Sequence, residues 1–309
     1  MPEGTGSVVA PGNHDGVHLG HRALVRAARE RAHARGLGAV AMFFDPHPSR
    51  VLAPERAAPT LTTVERRREL LRGAGADDVV VWPFDAAFAL LEPEAFVRDV
   101  LVGSLGARGV VIGPDFRFGR GRRGDLAMLR ALGDDFGFHV GVVEPVKAGG
   151  ERVSSTGVRE HLACGDVTGA AQMLGRYHDV DGGVVEGDRR GRTIGFPTAN
   201  LACDDVMLPA DGVYAVVARR LGEPDAPLLL GVLNSGVRPT VAAGRSIEAH
   251  LFDFQGSLYG ARMRVAFVDR IREERTLDGL DALKAQIALD VAGARTALAS
   301  LDQELAKWV

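Results

Sequence analysis

The chain has 309 residues, 46% of them hydrophobic and 25% charged, and a formal net charge of −3 at pH 7. That length exceeds one ordinary domain, so two are expected in a soluble globular protein. The near-neutral balance argues against bulk nucleic-acid binding, the two distant cysteines, Cys164 and Cys203, against a disulfide framework or zinc site, and the lack of any apolar run near ~18 residues against a membrane helix.

The first half alternates strand and helix patterns. Apolar runs at Val8–Ala10, Val40–Phe44, Val79–Trp82, Val110–Ile112 and Val140–Val143 have the length of buried strands. Helical spacing fills the gaps at Leu19–Arg35, Thr63–Gly73, Pro93–Gly103 and Leu126–Gly133, and two short helices follow at Ser155–Ala163 and Val167–Leu174. This order predicts an α/β unit with a mostly parallel, Rossmann-like sheet and ligands at the strands' carboxyl ends. Of the short arginine clusters, Arg66-Arg67-Arg68 reads as a solvated face. From about Gly182 the period changes to two: Val184-Val185, Val213/Ala215/Val217, Leu228–Leu233, Ile247/Ala249/Leu251 and Met263/Val265/Phe267 are separated by Gly, Pro and Asp. The pattern predicts an antiparallel sheet closed into a barrel. A long terminal helix follows, whose stripe Leu283, Ile287, Val291, Leu298, Leu301 and Leu305 is expected to pack on the barrel. The expected domains are residues 1–177 and 178–309, with the junction near Tyr177 to Gly183.

The richest stretch is Gly12-Asn13-His14-Asp15-Gly16-Val17-His18-Leu19-Gly20-His21. A glycine-rich turn after the first strand delivers His18 and His21 to the start of a helix. Its free N–H groups and dipole favour an anion there, and two imidazoles three residues apart can contact the same anion. A bare HxGH also fits a capped helix with two surface histidines; the flanking glycines and the preceding strand favour a phosphate site. Three further segments lie where they would converge on it. Asp45-Pro46-His47-Pro48 follows the second strand, and Gly113-Pro114-Asp115 the fourth. Ser154-Ser155-Thr156-Gly157-Val158-Arg159 puts hydroxyls and an arginine at a helix start. In the second half, Gly187 to Asn200 is glycine-rich, with Gly191 and Gly195 able to lie against phosphates. Thr198 and Asn200 offer neutral oxygens of the kind magnesium on ATP prefers. A barrel loop with a proline turn is the alternative. Glu248, within the alternation Ile247-Glu248-Ala249-His250, suits a general base if it faces a cavity, and a plain surface carboxylate otherwise.

In order, GNHDGVHLGH, FFDPHPS, GPDFRFG, RVSSTGVR, GRTIGFPTANL, GVLNSGVRPT and IEAHLFDFQGSLYG resemble the bacterial bifunctional riboflavin kinase/FMN adenylyltransferases, over nearly the whole chain. HxGH alone belongs to a broad nucleotidyltransferase superfamily; followed by GFPTAN and a Glu-bearing strand it is specific. The resemblance implies that residues 178–309 phosphorylate riboflavin and residues 1–177 join FMN to AMP from a second ATP, giving FAD and pyrophosphate. It implies Glu248 as the base, Thr198 and Asn200 as Mg²⁺ and ATP ligands, and His18 and His21 as stabilisers of phosphate charge. It further implies that Asn13, Ser155, Thr156, Arg159, Gly191 and Gly195 bind nucleotide or phosphate, and that His47 and Asp115 serve the flavin. The expected partners are small molecules (riboflavin, FMN and ATP) in the cytoplasm, with no nucleic acid and no membrane, and with a homo-oligomer allowed. A regulatory barrel on a single-function nucleotidyltransferase, or a flavin storage module, has no need for Glu248, Thr198, Asn200, His18 and His21 together. Two positions depart from the family: Tyr177-His178 where Pro-Tyr is usual, and His14 where phenylalanine is usual. The second change either loosens packing or adds a third protonatable group.

Overall fold

Five apolar runs become the five strands of one parallel sheet in the computed structural model, which describes residues 6–186, 195–223, 226–237 and 245–309. The strands are β1 (Ser7–Pro11), β2 (Gly38–Asp45), β3 (Asp78–Pro83), β4 (Ala107–Ile112) and β5 (His139–Val142), in the order β3-β2-β1-β4-β5. Their runs are unbroken because both faces are covered. Val9, Met42, Val110 and Ile112 pack on one side with Leu101 and Leu129, while Val8, Ala10, Ala39 and Val111 pack on the other with Ala28 and Ala32.

The helices of this unit are α1 (Leu19–His33), α2 (Pro48–Leu52), α3 (Val64–Gly73), α4 (Ala86–Ala89), α5 (Pro93–Ala95) and α6 (Leu126–Phe136). After α5 the chain continues as a π-helical stretch, Phe96–Ser104, within the segment that reads as a single helix in the sequence. The short hairpin β6 (Lys147–Ala148) and β7 (Glu151–Arg152), turning at Gly149 and Gly150 with positive φ, carries no apolar alternation and so gives no strand signal in the sequence. Strand order runs outward from β1 in both directions, so a crevice opens beyond the carboxyl ends of β1 and β4.

The arginine cluster corrects its reading as a solvated face. Arg66 and Arg67 on α3 are buried, and only Arg68 is exposed. Arg67 is drawn inward by the buried carboxylate of Asp15, 2.8 Å away, and its guanidinium lies over the Phe43 ring. Burial of a charge is tolerated only when it is paired in this way.

Contacts divide the chain after Ser155. The second unit begins within α7 (Ser155–Cys164), continues through α8 (Val167–Leu174), and builds a closed six-stranded barrel. Its strands are β8 (His178–Val185), β9 (Ala199–Cys203), β10 (Gly212–Arg220), β11 (Leu229–Val237), β12 (Arg245–Leu251) and β13 (Arg262–Glu273), in the order β10-β11-β12-β9-β8-β13. Period-two alternation buries both sides of β10. Val213, Ala215 and Val217 join Ala294 and Leu298 of α9 (Gly279–Ala299) in one cluster, whereas Tyr214 packs edge-on against Phe267, 5.3 Å away. Ala171 of α8 belongs to the former cluster. The terminal stripe departs from its reading in two ways. The helix ends at Ala299, so that Leu305 lies on a separate turn, α10 (Gln303–Ala306), and Leu283 and Ile287 line a cavity rather than the packed core.

Candidate active sites

The turn between β1 and α1 is held by one buried ion pair. The Asp15 carboxylate accepts from the Leu61 N–H at 3.0 Å and from Arg67 Nη2 at 2.8 Å, and Arg67 Nη1 donates to the Asn13 carbonyl at 3.1 Å. The Ser155 hydroxyl donates to the Asp15 carbonyl at 2.8 Å. Thus anchored, the turn adopts positive φ at His14 (49°) and at Val17 (42°), the latter costly for a β-branched residue.

His18 is the N-cap of α1: its Nδ1 accepts from the His21 N–H at 3.3 Å, which leaves the proton of the neutral ring on Nε2. No acidic side chain occupies the first turn of α1, so its N-terminus is open to an anion. The His18 and His21 rings stack with centroids 3.6 Å apart, and His14 meets His21 edge-on at 5.0 Å. His14 is buried, with Nε2 bonded to the Ala10 carbonyl at 2.9 Å. Packing at the family's usual phenylalanine position is therefore kept, and a third imidazole is added. Burial pushes His14 down to about 4, the Ala10 bond opposing this and Arg67 assisting. Burial likewise holds His21 well below its ordinary value, helped by His18, His14 and Arg67. Both are neutral at pH 7 until a ligand adds negative charge.

These histidines line a cavity of about 240 Å³ at the crevice, together with Gly12, Gly113 and Asp115. Asp115 is exposed and ion-paired with Arg152 of β7. His47 is not among the cavity's lining residues; it follows β2, on the other side of β1, and caps α2 by accepting from the Ser49 N–H at 3.2 Å. Asn13 is exposed on the turn. Thr156 and Arg159 lie on α7, where the four-residue spacing puts Ser155 and Arg159 on one helix face.

In the second unit, strand register assembles the site. Glu248 of β12 pairs directly with Asn200 of β9 on one side and with Asn234 of β11 on the other. Directly opposed residues share a face, so these three side chains form a row across the barrel wall. Thr198, two residues before Asn200, and Glu248 both line a cavity of about 700 Å³ between this wall and the first half of α9. Thr198 also lines a second cavity of about 220 Å³, walled by Val184, Leu258 and Tyr259. Sequence reasoning misses Asn234, although period two along Val232-Leu233-Asn234 marks its face. Gly195 has φ +90° and is exposed, while Gly191 lies outside the described residues. Among the described residues no group of three His, Cys, Asp or Glu side chains is arranged to hold a metal, and no helix is long and apolar enough to cross a membrane.

A parallel-sheet unit with HxGH at its strand-order crevice, joined in one chain to a barrel with a glutamate in register with an asparagine, defines a two-part transferase of phosphorus groups. Residues 1–157 match the family model for FAD synthetase and residues 174–298 the model for riboflavin kinase. The chain is 42% identical to the bifunctional riboflavin kinase/FMN adenylyltransferase of Escherichia coli (strain K12), covering 94% of this chain and 92% of the relative. It is 37% identical to the protein of that description from Bacillus subtilis (strain 168), covering 92% and 90%. A crystal structure described as a macrolide-efflux protein from Streptococcus pneumoniae superposes with a TM-score of 0.85 at 29% identity, covering 98% of this chain and 96% of that one. The chain belongs to the bifunctional riboflavin kinase/FMN adenylyltransferase family.

Proposed function

We propose that this chain makes FAD from riboflavin in two ATP-dependent steps, one in each half, within residues 178–309 and 1–177. In the second half Glu248 takes the proton of the riboflavin 5′-hydroxyl as its oxygen attacks the γ-phosphorus of ATP; FMN forms and ADP leaves. The observation that carries this reading is the Glu248–Asn200 register with Thr198 on the same cavity wall. Thr198 touches both cavities, so a flavin in the larger and a nucleotide in the smaller meet beside it. Its hydroxyl and the Asn200 amide oxygen are hard, neutral donors, the type that completes the shell of a magnesium ion carried by ATP. Bound there, the ion would neutralise phosphate charge. Gly191 and Gly195 are assigned to the ATP phosphates, glycine having no side chain to hold a phosphate away from the backbone.

In the first half the FMN phosphate attacks the α-phosphorus of a second ATP and pyrophosphate leaves. The nucleophile is already anionic, so the need is for positioning and for stabilisation of the leaving charge. His18 and His21 supply that stabilisation at the open N-terminus of α1, His18 through Nε2–H. Asn13, Ser155, Thr156 and Arg159 bind the nucleotide, and His47 and Asp115 serve the flavin end. The free cysteines, Cys164 and Cys203, suit a reducing cytoplasm.

The test incubates the purified chain with riboflavin, ATP and Mg²⁺ and separates the flavins by chromatography. FMN appears first, then FAD, and EDTA stops both. Absence of either flavin, or turnover indifferent to EDTA, refutes the assignment.

A further inference from the structure

The larger cavity of the barrel unit has a second polar end, remote from Glu248. Arg272 of β13 donates from Nε and Nη2 to Oδ1 and Oδ2 of Asp290 on α9, each at 2.8 Å, and from Nη1 to the Glu273 carbonyl at 2.8 Å. Gln286 Nε2 donates to Asp290 Oδ1 at 2.6 Å. Asp290 and Gln286 are 4% and 8% exposed, yet Asp290 and Arg272 both line the cavity. A guanidinium has five N–H groups and a carboxylate about four acceptor positions. The bonds above leave one N–H on each of Nη1 and Nη2 and one lone pair on Oδ2, the Nη2 N–H being the one beside that lone pair. In a side-on pair that N–H and lone pair fall at the same end, so the pair presents a donor beside an acceptor.

Register gives the span. Arg272 is opposite Val213, Val213 opposite Asn234, and Asn234 opposite Glu248. Three strand spacings separate Arg272 from Glu248, about 14 Å along the wall. Between the ends, Val213, Val232, Leu283 and Ile287 give the lining an apolar stretch, with Asn234 next to Glu248, while His250, Glu274 and Arg275 also line the cavity. Riboflavin has the matching order: a hydroxyl ending the ribityl chain, a flat apolar tricycle, and at one end of the tricycle an imide with N3–H between two carbonyls.

On the riboflavin kinase reading above, we infer that Asp290 and Arg272 read the imide edge of the flavin, N3–H donating to Asp290 Oδ2 and an adjacent carbonyl accepting from Arg272 Nη2. The pair is a specificity determinant: a flavin turned end for end would leave the buried carboxylate position unmatched and press the imide on apolar side chains. Gln286 holds the carboxylate in place.

The test compares riboflavin, N3-methylriboflavin and 8-demethylriboflavin as phosphoryl acceptors for the full chain and for Asp290→Ala. In the wild type, N3 methylation raises KM about tenfold or more with kcat nearly unchanged, while removal of the 8-methyl group at the opposite end leaves KM within about threefold. In Asp290→Ala, riboflavin itself loses a similar factor in KM and the N3-methyl penalty shrinks to within about threefold. The far-UV circular dichroism and thermal transition of a fragment beginning at Asp166, with and without Asp290→Ala, report that the barrel unit has folded. An N3-methyl penalty equally large in both proteins overturns the inference. So does a wild type indifferent to N3 methylation, a result that stands even if the variant fails to fold. A wild type that phosphorylates no flavin at all overturns the kinase reading beneath it.

Discussion

Lowering the pH from 7 to 5 should weaken the first unit, and His14 carries a measurable share of that loss. Its pKa is depressed by burial from 6.5 to about 4, so the unfolded chain takes up the proton first as pH falls. The stabilisation from keeping His14 neutral is therefore fully present above 6.5 and is lost progressively down to about 4. A tenfold difference in proton affinity between folded and unfolded chain is worth about 1.4 kcal/mol, and integrating only from pH 7 to 5 gives about 2 kcal/mol. For a unit of this size that is a fall of roughly 4–8 °C in Tm. His14→Phe restores the family's usual residue and removes the titrating group. The constant cost of a bulky side chain at φ 49° cancels when each protein is compared with itself at two pH values. His21 is depressed in the same direction but is present in both proteins. Urea unfolding of the first unit, followed at pH 7 and 5, should show the wild type losing about 2 kcal/mol more than His14→Phe. Parallel losses in the two proteins would refute the argument that burial keeps this imidazole neutral.

A crossed defect between the halves is expected. Glu248→Gln should lower FMN formation by roughly 10²–10⁴-fold while leaving FAD formation from supplied FMN intact, and His21→Ala should do the reverse with a loss of about 10²–10³-fold; a defect of either variant in the other reaction refutes the division of labour. Arg67→Met strands the Asp15 carboxylate in the interior and should cost about 3–5 kcal/mol by urea unfolding; a cost below about 1 kcal/mol would mean that the turn does not depend on the pair. A fragment beginning at Tyr177 should phosphorylate riboflavin unaided, and one beginning at Asp166 should melt higher because Ala171 and Leu174 are buried. An inert or unfolded shorter fragment would place the kinase boundary earlier.

Elements whose signal is local are legible without coordinates. The five parallel strands announce themselves as unbroken apolar runs because both faces are buried, and His18 needs only the start of α1 to become its cap. Strand β9 looks like loop in the sequence because Phe196-Pro197-Thr198-Ala199-Asn200 carries turn chemistry; its extended form comes from pairing with β8 and β12, which no local propensity encodes. Three consecutive arginines look solvated until Asp15, 52 positions away in sequence, is found beside Arg67. The meeting of Arg272 with Asp290, and the row from Arg272 through Val213 and Asn234 to Glu248, depend on how a closed barrel sets its register and where α9 lies on it. Motif residues keep their spacing along the chain, so the chemistry this protein carries is already present in its linear order. Which charges are buried, which strand faces meet α9 and how far apart the ends of the larger cavity lie emerge only on folding, because burial and register are set by partners distant in sequence.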